Sequence, residues 1–145
     1  MEELMKVHHM KLDNEPFNMI KDNRKTIELR LFDDKRQEVN TGDYIIFSRV
    51  DNPNIRIAVK VNGLLHFQNF EQLFEVVDIQ KCGDAKETSM SSATQAMQRY
   101  YSMKLIEEYG VLGIVIEIVD LDAVVRLEEL EEEQTLERLF PDGMK

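Results

Sequence analysis

Between residues 24 and 30 the chain places Arg24, Lys25, Thr26, Glu28 and Arg30: three cations, a hydroxyl and a carboxylate. Guanidinium and ammonium groups can hold a phosphate or a carbonyl oxygen, and a carboxylate can accept a hydrogen bond from the exocyclic amine of a base. A positioned lysine or glutamate can also move a proton, so Lys25 and Glu28 are the candidate catalytic pair and all five residues are candidate ligand contacts. Flanked by Arg24 and Arg30, Lys25 would sit under like-charge pressure, suited to a base, a nucleophile or a phosphate clamp. Ile27, Leu29 and Leu31 alternate with these polar residues, the period of a strand with one buried face. Thr26, Glu28 and Arg30 then share the other face at spacings of about 6–7 Å. A solvated sheet face carrying a cross-strand ion pair would show the same pattern.

A mixed order of elements surrounds this strand. Residues 6–12 read as a first strand with His8, Met10 and Leu12 on one face. Pro16 suits a first helical turn, Phe17, Met19 and Ile20 supply the apolar side, and Asp22-Asn23 stops the helix. Residues 26–32 form the second strand, Thr41-Gly42-Asp43 a tight turn, and Tyr44–Arg49 the third strand. Asp51-Asn52-Pro53-Asn54 is turn composition before a long strand over 55–67. Phe70, Leu73, Phe74 and Val77 have helical spacing after an opening at Gln68 or Asn69. Residues 81–88 read as an irregular loop, 89–109 as one helix ended by Gly110, and 111–121 as a central strand apolar on both faces. An acidic helix at about 125–140 carries Leu127, Leu130, Leu136, Leu139 and Phe140. This order predicts an α+β fold: a partly closed mixed barrel with flanking helices, the first of which delivers residues 22–25 to the barrel mouth.

A length of 145 residues predicts a single domain, residues 1–145, with a core that needs no staples. No apolar run approaches the roughly 20 residues of a membrane span, and the N-terminus lacks the pattern of a secretory signal. One cysteine, Cys82, forms no intramolecular disulfide, which points to a reducing, cytoplasmic location. The net charge of -10 lies wholly in the second part: residues 1–60 carry 11 basic and 11 acidic side chains, residues 61–145 carry 7 and 17. Such a chain repels a long phosphate backbone, which needs several Lys and Arg contacts. A locally basic pocket can still accept a nucleoside, a nucleotide or a short single strand.

The other reactive residues carry weaker signals. His8 and His9 face opposite sides of a strand, and His66 is the only other histidine, so no metal or other cofactor is expected. Cys82 stands in no nucleophile motif and reads as a plain loop thiol. Ser89, Ser91 and Ser92 read as helix-cap chemistry, and no nucleophile elbow, Walker loop or dinucleotide fingerprint is present. Tyr44, Phe47 and Phe67 are candidates either to stack a base or to fill the core. The glutamates between 128 and 133 read as a solvated helix face or a partner-binding one.

Met10-Lys11-Leu12, Pro16-Phe17, Met19-Ile20-Lys21, the run from Arg24 to Arg30, and Thr41-Gly42-Asp43-Tyr44-Ile45-Ile46-Phe47 together resemble the ASCH domain, in the PUA-like superfamily of small β-barrels. Lys25, Glu28, Arg30 and Gly42-Asp43 match the family pattern. Asn23 stands where that pattern has glycine, and asparagine is the next-best residue for a left-handed turn. The resemblance implies a PUA-like mixed β-barrel with a cleft for RNA or a nucleotide-like ligand, lined by Lys25, Glu28 and Arg30, and roles in RNA processing or transcriptional coactivation. A similar branch of small bacterial proteins removes the acetyl group of N4-acetylcytidine with a lysine, a threonine and a later glutamate. Lys25 matches that lysine; the threonine position holds Glu28, which is no alcohol nucleophile, and Thr26 matches a different threonine. Glu75 or Glu87 would be the later glutamate. Three readings stay open: a binding module for RNA, a nucleotide or a modified nucleoside; a small hydrolase acting on an acylated nucleoside or an RNA linkage; and a regulatory domain using its acidic helix to meet a protein.

Overall fold

Alternating apolar residues build five strands into one mixed sheet. The computed structural model describes residues 5–85 and 88–141. In it β1 (Val7–Leu12), β2 (Ile27–Leu31), β3 (Tyr44–Arg49), β4 (Arg56–Phe67) and β5 (Val111–Val119) run in the order β1-β3-β4-β5-β2. β1 lies parallel to β3, and the other three pairs are antiparallel. β4 serves both halves of the sheet: residues 56–60 pair with β3, residues 58–67 with β5, and the register shifts between Val61 and Gly63. Irregularities of this kind bend a strand and sharpen its twist. The sheet curves into the half-barrel that the order of elements predicts, with five helices around it.

Side chains bridge the two edge strands. Arg30 on β2 donates to the Lys11 carbonyl of β1 at 2.8 Å, and Lys35, in the turn after β2, donates to the His9 carbonyl at 2.6 Å. Carbonyls that would otherwise stand open on an edge are thereby capped.

The helices close the sheet on both faces. α1 (Asn14–Lys21) drops Phe17 and Ile20 into the barrel interior among Leu12, Ile45, Phe47, Val61 and Ile114. At its end Asn23 adopts the left-handed conformation, φ 60°, and the Arg24 and Lys25 amides both donate to the Met19 carbonyl, turning the chain into β2. α2 (Phe70–Val76), α3 (Met90–Tyr100) and α4 (Met103–Tyr109) cover the outer face of β2, where Phe70, Leu73, Phe74 and Ile106 meet Ile27, Leu29 and Leu31. α5 (Leu121–Leu139) packs Val124 against Ile46 and Ala58 at the other end of the sheet.

The larger boundary differences from the sequence reading arise through capping. The single helix expected over 89–109 is two, because Tyr101 is extended and the Ser102 side chain accepts from the Leu105 amide at 3.2 Å, opening α4. The acidic helix begins at Leu121 because Asp120 accepts from the Asp122 amide. The loop expected over 81–88 overlaps a 3-10 turn at Ile79–Cys82, and residues 86–87, hence Glu87, lie outside the described residues. Among the described residues no helix is long and apolar enough to cross a membrane.

Candidate functional site

On β2 the pleat sends Ile27, Leu29 and Leu31 toward the helices and Glu28 and Arg30 toward the barrel interior, opposite Ile114 and Leu112 of β5. Glu28 is 3 % exposed. Its Oε1 pairs with Lys25 Nζ at 3.0 Å and accepts from the Leu29 amide at 3.2 Å; its Oε2 accepts from Arg30 Nε at 2.9 Å and lies 2.9 Å from Arg30 Nη2 in the same ion pair. A carboxylate this deep is tolerable only with such partners. Burial is the largest influence on Glu28 and pushes its carboxyl up, but the charges and hydrogen bonds of Lys25 and Arg30 outweigh it and hold the group below its ordinary value. Glu28 is therefore ionised, with two cations fixed on it.

These three side chains form part of the wall of a cleft of about 350 Å³, bounded by the end of β1, α1, α3 and the segment after α2. Its size is at the lower end for sites that enclose a small molecule. That segment brings Cys82, Gly83 and Asp84 to the cleft, and the Thr26 amide ties it to β2 by donating to the Lys81 carbonyl at 2.8 Å. Gly83 has φ +100°, and a Cβ there would lie 3.0 Å from Met19 Sδ and 3.3 Å from Lys25 Cδ. Only glycine combines that backbone with so close an approach. Burial raises the Asp84 carboxyl, with the opposing pull of Lys25 too small to cancel it. Burial likewise pushes the Cys82 thiol up to about 12, so it is neutral. Tyr100, 67 % exposed, donates its hydroxyl to Asp13 at 2.9 Å, and Tyr101 stacks on Phe70 with ring centroids 6.2 Å apart.

With this geometry in hand, the comparisons are direct. The model of the ASCH domain matches residues 10–141. The chain belongs to the ASCH domain family. A crystal structure of the hypothetical protein PH0355 is 30% identical, with a TM-score of 0.68 over 79% of this chain and 100% of that one. The solution structure of PF0455 from Pyrococcus furiosus is 25% identical, with a TM-score of 0.58 over 79% of this chain and 98% of that one. ZmASCH from Zymomonas mobilis, at 13% identity and a TM-score of 0.54 over 80% of this chain and 76% of that one, shares the fold. No curated protein matches. The family is generally associated with RNA binding and hydrolase-like activity.

In this ASCH domain the five residues of the 24–30 run part company. Lys25, Glu28 and Arg30 meet at the cleft, whereas Arg24 turns outward to Asp22 at 3.3 Å with its side chain 63 % exposed, and Thr26 is not among the lining residues. The like-charge crowding expected at Lys25 is thus replaced by a carboxylate held between two cations. Glu75 sits on α2 beside a separate surface groove with α3. Phe47 is core, Tyr44 packs with the α5 cluster and Phe67 with the outer helices, so none of the three faces the cleft. The aromatics there are Tyr100 and Tyr101, and Asp84 adds a carboxylate from the segment after α2. Their only traces in the sequence are a tyrosine pair just before a serine cap and an acid just after a glycine. The Gly42-Asp43 turn is structural: Asp43 accepts from the Lys6 and Asn40 amides and pairs with His8 at 2.8 Å. His9 points the other way, to Glu128.

Proposed function

We propose that this ASCH domain binds RNA, or a nucleotide or modified nucleoside derived from it, by receiving one nucleoside unit in the cleft lined by Lys25, Glu28 and Arg30. The observation that carries the reading is the buried Glu28 carboxylate, which fixes two cationic donors on the wall of a cleft that also presents an exposed tyrosine. Donors fixed in this way meet a carbonyl oxygen of a base without reorganising. The ring of Tyr100 gives a base a platform, and stacking of this type contributes about 1–3 kcal/mol per base. An unpaired base can enter such a cleft and a paired one cannot. The acidic remainder of the chain disfavours long duplexes. A single buried thiol accords with a reducing, cytoplasmic setting.

Hydrolysis of an acylated nucleoside needs an activated nucleophile. The position of the alcohol in the deacetylating branch holds Glu28, locked between two cations, and Cys82 is neutral. The binding reading therefore takes precedence. Titration of mononucleotides and short single-stranded RNA against wild type, Lys25→Ala and Arg30→Ala tests it. Each variant is expected to weaken binding by about 10- to 100-fold, the worth of one charge-assisted hydrogen bond. Equal binding by all three proteins, or by none, would refute it and leave the acidic α5, with Leu127, Leu130, Leu136 and Leu139 exposed, as a protein-binding face.

A further inference from the structure

The cations of the cleft are already matched. Lys25 lies on Glu28, and Arg30 is shared between Glu28 and the Lys11 carbonyl. Across the whole lining, Lys11, Lys25 and Arg30 stand against Asp13, Glu15, Glu28 and Asp84. A phosphate placed among them would gain little. The carboxylates are not equally occupied, however: Glu28 holds two cations and Asp13 accepts from Tyr100. Glu15 and Asp84, by contrast, have no ion pair or side-chain hydrogen bond among the described residues; Glu15 is exposed, whereas Asp84 is partly buried. The position of Asp84 is nonetheless set, because its amide donates to the Ile79 carbonyl at 3.3 Å and the Lys81 carbonyl is tied to the Thr26 amide. The cleft thus offers cationic donors and one partly buried free acceptor within the same small space. A base edge with a ring acceptor beside an exocyclic amine has the complementary pattern.

Resting on the RNA-binding reading above, we propose that Asp84 is a specificity-determining residue that accepts a hydrogen bond from the exocyclic amine of the bound base, so that cytosine and adenine are taken in preference to their oxo counterparts, uracil and hypoxanthine. An oxo group turned toward Asp84 sets acceptor against acceptor, and the partly buried carboxylate is left unpaired. Its raised carboxyl agrees: the fold tolerates a charge there that Lys25 does not fully stabilise, as is common at binding sites.

The test compares cytidine with uridine tetranucleotides, and adenosine with inosine ones, on the full chain and on Asp84→Asn. Wild type is expected to bind each amino base about tenfold or more tightly than its oxo partner. Asp84→Asn, which keeps the shape but adds a donor, is expected to abolish or reverse that ratio while still binding RNA. Wild-type ratios within twofold of unity would overturn the inference without any variant, as would a ratio that Asp84→Asn leaves unchanged. Equal binding of all four oligomers sinks this inference alone. Binding of none sinks it together with the RNA reading.

Discussion

Ile27, Leu29 and Leu31 leave β2 on one side and pack against Phe70, Leu73 and Ile106; Glu28 leaves on the other and is buried at least as deeply. The first face is stabilised by removal of apolar area from water, which is non-directional and tolerates swaps of similar volume. The second works only as a set, because the cost of burying Glu28 is offset by Lys25 and Arg30 together. Burial alone therefore does not separate framework from candidate site on this strand. Dependence on particular partners does.

Removing one member of the set should have the largest effect. Glu28→Ala leaves two cations unmatched and is expected to lower stability by about 3–5 kcal/mol in denaturant unfolding. The same group makes stability depend on acid. Its folded carboxyl lies below the unfolded value, so its contribution is complete above about pH 4.5 and is lost as pH falls below that. Glu28→Gln should lack this acid-dependent loss, and an unchanged acid limb would break the contrast between the faces.

Leu31→Ala, on the apolar face, should cost less, about 2–3 kcal/mol, since Leu31 lies at the end of its cluster. It should leave RNA affinity per folded molecule unaltered. A larger cost than that of Glu28→Ala would reverse the ranking.

The smallest effect belongs to Arg24→Ala, which removes only an exposed pair with Asp22. A change below about 0.5 kcal/mol is expected, with RNA titrations superimposing on wild type. Any clear loss of binding would show that Arg24 reaches the ligand and would enlarge the site beyond the cleft.

Several parts of this arrangement were legible in residue order. Alternation from Thr26 to Leu31 identified the strand and separated its two faces, and Asn23 marked the left-handed turn that leads into it. Apolar runs placed β3, β4 and β5 within a residue or two. The break between α3 and α4 was less visible, since Ser102 fits either a helix surface or a cap and only the extended Tyr101 decides between them.

The local pattern by itself determined which side chains share a face, because the pleat and the helical turn have fixed periods. It could not determine what covers that face. Only the packing of α1, α3 and the Ile79–Cys82 turn around the barrel mouth buries Glu28, sends Arg24 outward and brings Asp84 and Tyr100 beside residues 25–30. Those contacts span some 54 to 75 positions of sequence, and spacing along one strand carries no information about the layers that close over it.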